Sequence, residues 1–281
     1  MKVLIVVLCV VVVLIFLYIW MIKPRVLARP DMSAFQGQYF AHRGLHDVKK
    51  GAPENSLKAF RRAVKAGYGI ELDVQLSKDG MPVIFHDYTL DRICGGAGRV
   101  EEYTYEELKQ FPLQGTGERI PTLTEALNVI GGKVPLIVEL KAEGTEATML
   151  CTIVDKILSA YRGPYCIESF HPLAVYWYRC NRGTVIRGQL ADCYLQREEY
   201  RNSKGGKRFL YFLMQNLLTN FLGRPDFVAY NHECSGKFAL KVCGLFGVRK
   251  AAWTIRSEEE LEHAKEEFTM YIFEDFTPKI R

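Results

Sequence analysis

Two histidines, several carboxylates and two cations occur close together in the first half of this chain of 281 residues. They belong to five short motifs, which in order are His42-Arg43-Gly44, Pro53-Glu54-Asn55, Glu71-Leu72-Asp73, His86-Asp87 and Glu139-Leu140-Lys141. Imidazoles transfer protons, and cations stabilise the charge that develops on phosphate oxygens. These residue types are therefore suited to the cleavage of a phosphodiester.

Glu71 and Asp73 are two residues apart on a predicted strand, so their side chains point to the same face. Two carboxylates on one face repel each other unless a cation lies between them. Glu139, at the end of another predicted strand, offers a third oxygen ligand, and such oxygen ligands suit Ca²⁺ or Mg²⁺. An exposed salt-bridged pair is the alternative, but the apolar neighbours of both acids favour a buried site, where unpaired acids are costly.

His42 and His86 each end an apolar strand, which predicts that one acts as base and the other as acid. The other four histidines are interpreted as structural. Arg43 and Lys141 are candidate phosphate ligands, with surface ion pairs as the alternative. Lys141 follows Glu139 by two residues, so both are expected on one side of the strand end.

These side chains can meet only if the carboxyl ends of their strands lie at one end of the fold. Nine short β-rich runs alternate with helical patterns, and this alternation predicts parallel strands joined by helices. The runs are 39–41, 70–74, 83–85, 136–139, 165–169, 185–190, 227–230, 251–255 and 271–273. Too few residues separate the second run from the third for a crossover helix, so the third is expected to form a hairpin with the second. An eight-stranded α/β barrel with an insertion over residues 92–120 accommodates all nine.

Helix signals fall between these runs. Ser56 is expected to cap a helix that stops at Gly67, and Thr122 forms a capping box with Glu125. Residues 209–222 are apolar on most faces, which leaves two interpretations open: a helix packed on the barrel, or a helix that leans on a membrane.

Residues 3–22 form an uncharged apolar run that is long enough to cross a bilayer as a helix. A signal peptide would have a shorter apolar part and a clearer cleavage site. We therefore expect a transmembrane anchor over 1–22, a linker over 23–37 and a catalytic domain over 38–281. The flanks carry Lys2 on one side and Lys23, Arg25 and Arg29 on the other, which favours a single-pass protein with a cytoplasmic domain.

The composition narrows the class of partner. The net charge of +5 is mixed with 32 acidic residues and forms no basic stripe, so nucleic acid is not expected as a partner. Seven of the eight cysteines lie beyond the apolar run, and neither disulfide-like nor zinc-like spacing is present. We therefore expect reduced thiols.

The motifs in this order resemble the glycerophosphodiester phosphodiesterase family over residues 39–278. Further matching motifs are Asp79-Gly80, Leu90-Asp91-Arg92, Ile120-Pro121-Thr122-Leu123, Ser169-Phe170 and Ala252-Trp253-Thr254. The resemblance implies a TIM barrel related to the phosphatidylinositol phospholipase C barrels, which binds Ca²⁺ or Mg²⁺ and releases glycerol 3-phosphate and an alcohol from a small glycerophosphodiester.

The resemblance also implies a role for each site residue. Glu71, Asp73 and Glu139 would hold the metal, His42 and His86 would perform the acid–base chemistry, Arg43 and Lys141 would contact phosphate, and Glu54 would lie in or beside the site. Trp253, at a strand end, is a candidate for lining a substrate slot, with a core role as the alternative. In the implied mechanism the substrate's own glycerol hydroxyl attacks phosphorus and water then opens the cyclic phosphate.

The chain departs from the family near its end. A Thr-Asp-x-Pro motif is common there, whereas this sequence reads Glu274-Asp275-Phe276-Thr277-Pro278, which keeps the aspartate and alters the turn. Two other functions are considered: a lysophospholipase D that acts on lysophospholipids, and an inactive membrane-tethered binding module.

Overall fold

The computed structural model describes residues 1–144 and 146–279. The strands in this part are β1 (Tyr39–Ala41), β2 (Gly69–Leu76), β3 (Pro82–Ile84), β4 (Leu136–Leu140), β5 (Tyr165–Ser169), β6 (Arg187–Ala191), β7 (Phe227–Asn231), β8 (Arg249–Ile255) and β9 (Met270–Phe273). The helices are α1 (Lys2–Ile22), α2 (Leu57–Ala66), α3 (Asp91–Cys94), α4 (Tyr105–Leu108), α5 (Leu123–Ile130), α6 (Ala147–Leu158), α7 (Pro172–Asn181), α8 (Glu198–Arg201), α9 (Gly205–Gln215), α10 (Asn220–Gly223), α11 (Phe238–Leu245) and α12 (Glu258–Lys265).

Eight parallel strands close into a barrel. Their order is β1-β9-β8-β7-β6-β5-β4-β2, and pairing of β1 with β2 closes the ring. β3 runs antiparallel to β2 and lies outside the ring. Each of the nine predicted runs overlaps one of these strands, so the barrel and its hairpin are both confirmed.

The helix signals are also present where the sequence placed them. The Ser56 hydroxyl accepts a hydrogen bond from the Ala59 amide (3.1 Å), and Gly67 ends α2 in the left-handed region at φ 79°. Thr122 and Glu125 form the expected capping box of α5. Residues 209–222, in contrast, do not form one helix, because the chain turns at Leu217 (φ 56°) between α9 and α10.

The barrel interior is apolar at the amino ends of the strands and polar at the carboxyl ends. Phe40, Ile137, Cys166 and Phe227 belong to the buried apolar cluster of the lower layer. Close packing in this layer requires Gly69, because a Cβ there would lie 2.5 Å from the Phe40 ring. The polar side chains above therefore rest on a packed floor rather than on an open channel.

The segment 23–37, expected to be a linker, is packed against the underside of the barrel. Met32 and Phe35 are buried in the lower apolar cluster. Arg25 donates to the Gly183 carbonyl (2.7 Å), and Arg29 donates to the Gly247 carbonyl (2.7 Å). This segment therefore fixes the end of α1 to the barrel.

The insertion over residues 92–120 has a small apolar core of its own. Its members, drawn from β3, α3, α4 and the turns between them, are Val83, Phe85, Leu90, Ile93, Val100, Leu108, Leu113 and Ile120. Its helices α3 and α4 have four residues each. The insertion packs beside the hairpin, and its Arg92 reaches the barrel mouth.

The expectation of reduced thiols throughout is wrong for one pair. Cys193 and Cys234 form a disulfide across 41 residues, with their Cα atoms 6.2 Å apart. They follow β6 and β7, which are neighbours in the barrel, so the fold brings together two cysteines that no local spacing connects. The other five cysteines beyond α1 are free.

α1 is long and apolar enough to cross a membrane, and it is the one such helix in the described ranges. Its residues are exposed as far as Leu17, and burial begins at Tyr18. Ile22 is fully buried, and its carbonyl accepts a hydrogen bond from the Asn220 amide (3.0 Å). The last turn of α1 is thus part of the barrel's packing.

Candidate active site

Three carboxylates lie at the centre of the barrel mouth, and we call Glu71, Asp73 and Glu139 the carboxylate trio. Glu71 and Asp73 point inward from β2, and Asp73 is in register with Glu139 on β4. All three are buried, and one carboxylate oxygen from each lies within 4.8 Å of the others. The predicted metal ligands are therefore close enough to share one ion.

The electrostatics of the trio favour a bound cation. Burial, reinforced by the charge of Asp73, raises the pKa of Glu71 well above its usual range. Burial likewise raises the pKa of Glu139, although Lys141 opposes that rise. Oδ1 of Asp73 is buried and accepts no hydrogen bond from the described residues. Hard oxygen donors with an unsatisfied buried lone pair fit Ca²⁺ or Mg²⁺.

Lys141 and Arg43 supply the positive charge of the site. Lys141 Nζ lies 2.9 Å from Glu139 Oε1 and 3.5 Å from Asp73 Oδ1. Burial would lower the pKa of Lys141, but the two carboxylates outweigh it and raise the pKa. Arg43 Nε lies 3.6 Å from Asp73 Oδ2, and its Nη1 donates to Glu54 (2.8 Å). Both side chains are therefore charged and directed at the trio.

The backbone at Arg43 is in the left-handed region, with φ 55°. In this conformation its amide donates to Oε2 of Glu71 (3.0 Å), and its carbonyl accepts from the Asn55 amide (2.9 Å). Asn55, which also has φ 55°, donates through its side chain to Asp73 Oδ2 (2.8 Å). Uncommon backbone conformations concentrate at functional sites, and here two of them hold the trio in place.

His42 follows β1 and its ring is fixed by a carboxylate. Nδ1 is hydrogen-bonded to Glu274, while Nε2 faces the site 3.9 Å from Glu71 Oε2. Burial and the charge of Arg43 lower the pKa of His42 to about 4, although Glu274 opposes the change. The imidazole is therefore neutral at pH 7. Because a neutral imidazole can only donate to a carboxylate, the Nδ1–H is assigned to the bond with Glu274, which leaves Nε2 able to accept a proton.

His86 follows β3, and a carboxylate likewise binds the Nδ1 of its ring. Its Nδ1 lies 2.6 Å from Asp87 Oδ1. Asp87 and Glu54 both accept from Arg92, at 2.6 and 2.8 Å. Burial would raise the pKa of each of these carboxyl groups, but hydrogen bonds from His86 and Arg92 to Asp87, and from Arg92 to Glu54, outweigh it and lower both pKa values.

Trp253 is half-buried at the carboxyl end of β8 and faces the mouth. Its ring meets Phe170 edge-on, with centroids 5.6 Å apart. Phe170 in turn meets Tyr194 at 6.2 Å. Trp253 Nε1 is buried and has no hydrogen-bond acceptor in the described ranges. These three rings form an aromatic wall beside the charged residues.

Two functional candidates were absent from the sequence reasoning. Glu274, which holds His42 and also pairs with Arg256 (2.5 Å), was noted only as a departure from the family motif. Asp275, the residue that the motif retains, is 66% exposed at its side chain and lies 3.9 Å from Arg256 Nε. Glu168 on β5 is buried in register with Glu139, and burial raises its pKa well above the usual range. Both glutamates occupy strand carboxyl ends, the same signal that identified His42.

The closed parallel barrel and the charged residues at its mouth define a TIM-barrel phosphodiesterase. Residues 42–270 match the model of the glycerophosphoryl diester phosphodiesterase family. The match covers most of the chain, so this protein belongs to that family and is a hydrolase of its class. The family resemblance, the fold and the enzyme class expected from the sequence are thereby confirmed.

Curated relatives and solved structures give the same family. Glycerophosphodiester phosphodiesterase 1 of Bos taurus is 27% identical over 274 residues, which is 85% of this chain and 79% of the relative. A glycerophosphodiester phosphodiesterase of Caldanaerobacter subterraneus is 47% identical over 110 residues, which is 36% of this chain and 44% of that protein. An Oleispira antarctica phosphodiesterase, solved with the product sn-glycerol-3-phosphate, superposes with a TM-score of 0.68 at 25% identity and covers 85% of this chain and 93% of its own.

Proposed function

We propose that this protein hydrolyses glycerophosphodiesters to glycerol 3-phosphate and an alcohol, with a divalent metal ion and a pair of histidines. The observation that carries the proposal is a pair of carboxylate-bound histidines beside the carboxylate trio. His42 and His86 each have a carboxylate-bound Nδ1, and both interact electrostatically with Asp73 of the carboxylate trio. The bound sn-glycerol-3-phosphate of the Oleispira antarctica structure supports the same product.

The carboxylate trio would hold Ca²⁺ or Mg²⁺. When bound, such an ion neutralises phosphate charge and lowers the pKa of an attacking hydroxyl. Arg43 and Lys141 bind the non-bridging phosphate oxygens and remain charged in the buried site. Glu54 fixes the guanidinium of Arg43 and so directs it toward the phosphate.

His42 is assigned as the general base. Its neutral ring offers Nε2 to the substrate's glycerol hydroxyl, whose oxygen attacks phosphorus as the proton moves to His42. His86 donates a proton to the alcohol oxygen as the bond from that oxygen to phosphorus breaks. In the second step the roles reverse: water loses a proton to His86 and opens the cyclic phosphate, and His42 returns its proton to the glycerol oxygen. Trp253 borders the departing group.

Substrate turnover tests these roles. The whole protein in detergent micelles is incubated with glycerophosphocholine, and glycerol 3-phosphate is measured with Ca²⁺, with Mg²⁺ and with a chelator. His42→Asn and Glu71→Gln should each remove activity, and chelation should do the same. The control is His263→Asn, since His263 is an exposed residue of α12. Release that continues under chelation and in both site variants would refute the assignment.

We also propose that α1 remains attached as a single-pass anchor. A signal peptide is removed, whereas the barrel has contacts built for the last turn of α1: Arg224 donates to the Trp20 carbonyl (2.7 Å), and the Trp20 and Phe221 rings stack at 4.8 Å. Two features bear on the orientation and point in opposite directions. The flanking cations favour a cytoplasmic barrel, whereas the Cys193–Cys234 disulfide is typical of proteins outside the cytoplasm. Digestion of the barrel by protease added to sealed cells would exclude the cytoplasmic orientation.

A further inference from the structure

α1 lies alongside α11 and points past the barrel mouth. α11 starts after the carboxyl end of β7, so Phe238 is on the mouth side and Leu245 is near the opposite end. Tyr18 stacks on Phe238, with centroids 6.1 Å apart, whereas the carbonyl of Ile22 accepts from the thiol of Cys243 (3.3 Å). The axis of α1, followed from Ile22 to Lys2, therefore runs toward the barrel mouth and extends beyond it.

The exposed part of α1 is short for a bilayer. Residues 2–17 are exposed, and Tyr18 is the first residue that the barrel partly covers. At about 1.5 Å per residue the exposed part rises about 24 Å, whereas the hydrocarbon layer is about 30 Å thick. Because no length is left over, the mouth side of the barrel has to lie against the headgroups of the bilayer that α1 enters.

α9 projects from the same side of the molecule. Its last residue, Gln215, accepts a hydrogen bond from the Tyr230 hydroxyl (2.7 Å) near the carboxyl end of β7. Further from the barrel, Phe209 is 62% exposed, and Leu210 and Phe212 are exposed as well. Phe238 on α11, next to α1, is 70% exposed. Large apolar side chains are thus exposed on the mouth side in α9 and α11, and Leu245 and Leu27 are exposed on the opposite side.

Basic residues accompany these apolar side chains. Lys204, Lys207 and Arg208 are exposed and form no ion pair with any carboxylate of described position. A helix with aromatic residues and several exposed cations is suited to the interface of an anionic membrane. Large apolar side chains that stay exposed together on one helix mark a surface that contacts a partner or a membrane.

We propose that the barrel mouth faces the bilayer and that α9 is a second membrane contact, which inserts Phe209 and Phe212 among the acyl chains while its cations meet anionic headgroups. The consequence, which rests on the proposed function, is that the site is presented to glycerophosphodiesters that reside in the membrane. A lysophospholipid has this chemistry, because it joins a glycerol phosphodiester to one acyl chain.

Lipid quenching measures the orientation without any need for activity. Phe209→Trp and the control Leu245→Trp are each reconstituted as the whole protein in vesicles of phosphatidylcholine and phosphatidylglycerol. The fluorescence of the unsubstituted protein is subtracted, since Trp20, Trp177 and Trp253 also emit. Acyl-brominated lipid should quench the new tryptophan at 209 and leave the one at 245 unchanged. Equal quenching at both positions, or quenching at 245 alone, would overturn the orientation.

Turnover of two substrates measures the consequence. The variant Phe209→Ser/Phe212→Ser should retain the rate on soluble glycerophosphocholine and lose about tenfold on lysophosphatidylcholine held in vesicles. Leu245→Ser should change neither rate. Equal loss on both substrates, or loss on neither, would overturn the role of α9. A protein that is inactive on both substrates while position 209 is still quenched would refute the proposed function and leave the orientation standing.

Discussion

Replacing Glu274 by glutamine is expected to impair the base more than any other change outside the carboxylate trio and the histidines. The carboxylate of Glu274 accepts from Nδ1 of His42 and so leaves Nε2 free for the substrate proton. Glutamine can instead donate its amide to Nδ1, which moves the ring proton to Nε2 and blocks the base. It also removes the negative charge that keeps the pKa of His42 from falling below about 4.

The magnitude follows from these two losses. A positioned base contributes about 10²- to 10⁴-fold, and a wrong tautomer removes most of it. We therefore expect kcat to fall by about 10²- to 10⁴-fold, or about 2.7–5.5 kcal/mol in the activation barrier, with KM nearly unchanged because Glu274 touches no phosphate ligand. Stability should change little, since the partner Arg256 is half-exposed and can be hydrated.

The assay is glycerol 3-phosphate release from glycerophosphocholine, with circular dichroism as a check on folding. Asp275→Asn is the matched control, because this neighbouring carboxylate is exposed and its ion pair is with Arg256. We expect Asp275→Asn to stay within about twofold of the unsubstituted protein, as is usual for surface changes. If Asp275→Asn lost activity and Glu274→Gln kept it, the family's aspartate would act in the site and the assignment of Glu274 would be wrong.

Four further predictions concern pH, metal and stability. The pKa of buried His42 is about 4, whereas that of a free histidine is about 6.5. Between these pH values the histidine is protonated in the unfolded chain and neutral in the folded chain. The free energy of unfolding should fall from pH 6.5 to pH 4, and urea melts of His42→Gln should show a weaker fall. Metal binding should release protons, because the metal-free trio contains carboxyls of raised pKa; equal calorimetric heats in buffers of different ionisation enthalpy would contradict this. Phe35→Ala should lower the free energy of unfolding by about 3–5 kcal/mol, measured by denaturant melts, whereas a change below 1 kcal/mol would mean that the underside segment contributes little. Cys193→Ser/Cys234→Ser should cost about 2–4 kcal/mol, and thiol titration of the unsubstituted protein should find the pair blocked.

Much of the barrel was predictable because each strand has a recognisable pattern of neighbouring residues. Short apolar runs with turns between them marked all nine strands, and the few residues between Asp73 and His86 marked the hairpin. The rule that functional groups occupy strand carboxyl ends brought eight of the nine candidate residues to one mouth, and the family resemblance added Glu54. Each of these inferences needed only neighbouring residues and the geometry of a strand.

The remaining features depend on contacts between distant segments. His42 and Glu274 are 232 residues apart and meet because β1 and β9 are neighbours in the closed ring. Cys193 and Cys234 meet for the same reason across β6 and β7. The packing of Phe35 beneath the barrel has no period to reveal it, since the segment contains neither a helix nor a strand. These contacts follow from which strands are neighbours in the barrel and from packing beneath it, and no local pattern encodes either of them.

The firm attachment of segment 23–37 gives the length of α1 a geometric meaning. Since Arg25 and Arg29 hold the chain beneath the barrel, α1 and the barrel turn as one body. One residue added between Leu17 and Tyr18 would rotate the exposed part of α1 by about 100° relative to the barrel and lengthen it by about 1.5 Å. Helical phase, as well as hydrophobic length, thus decides which side of the barrel meets its surroundings.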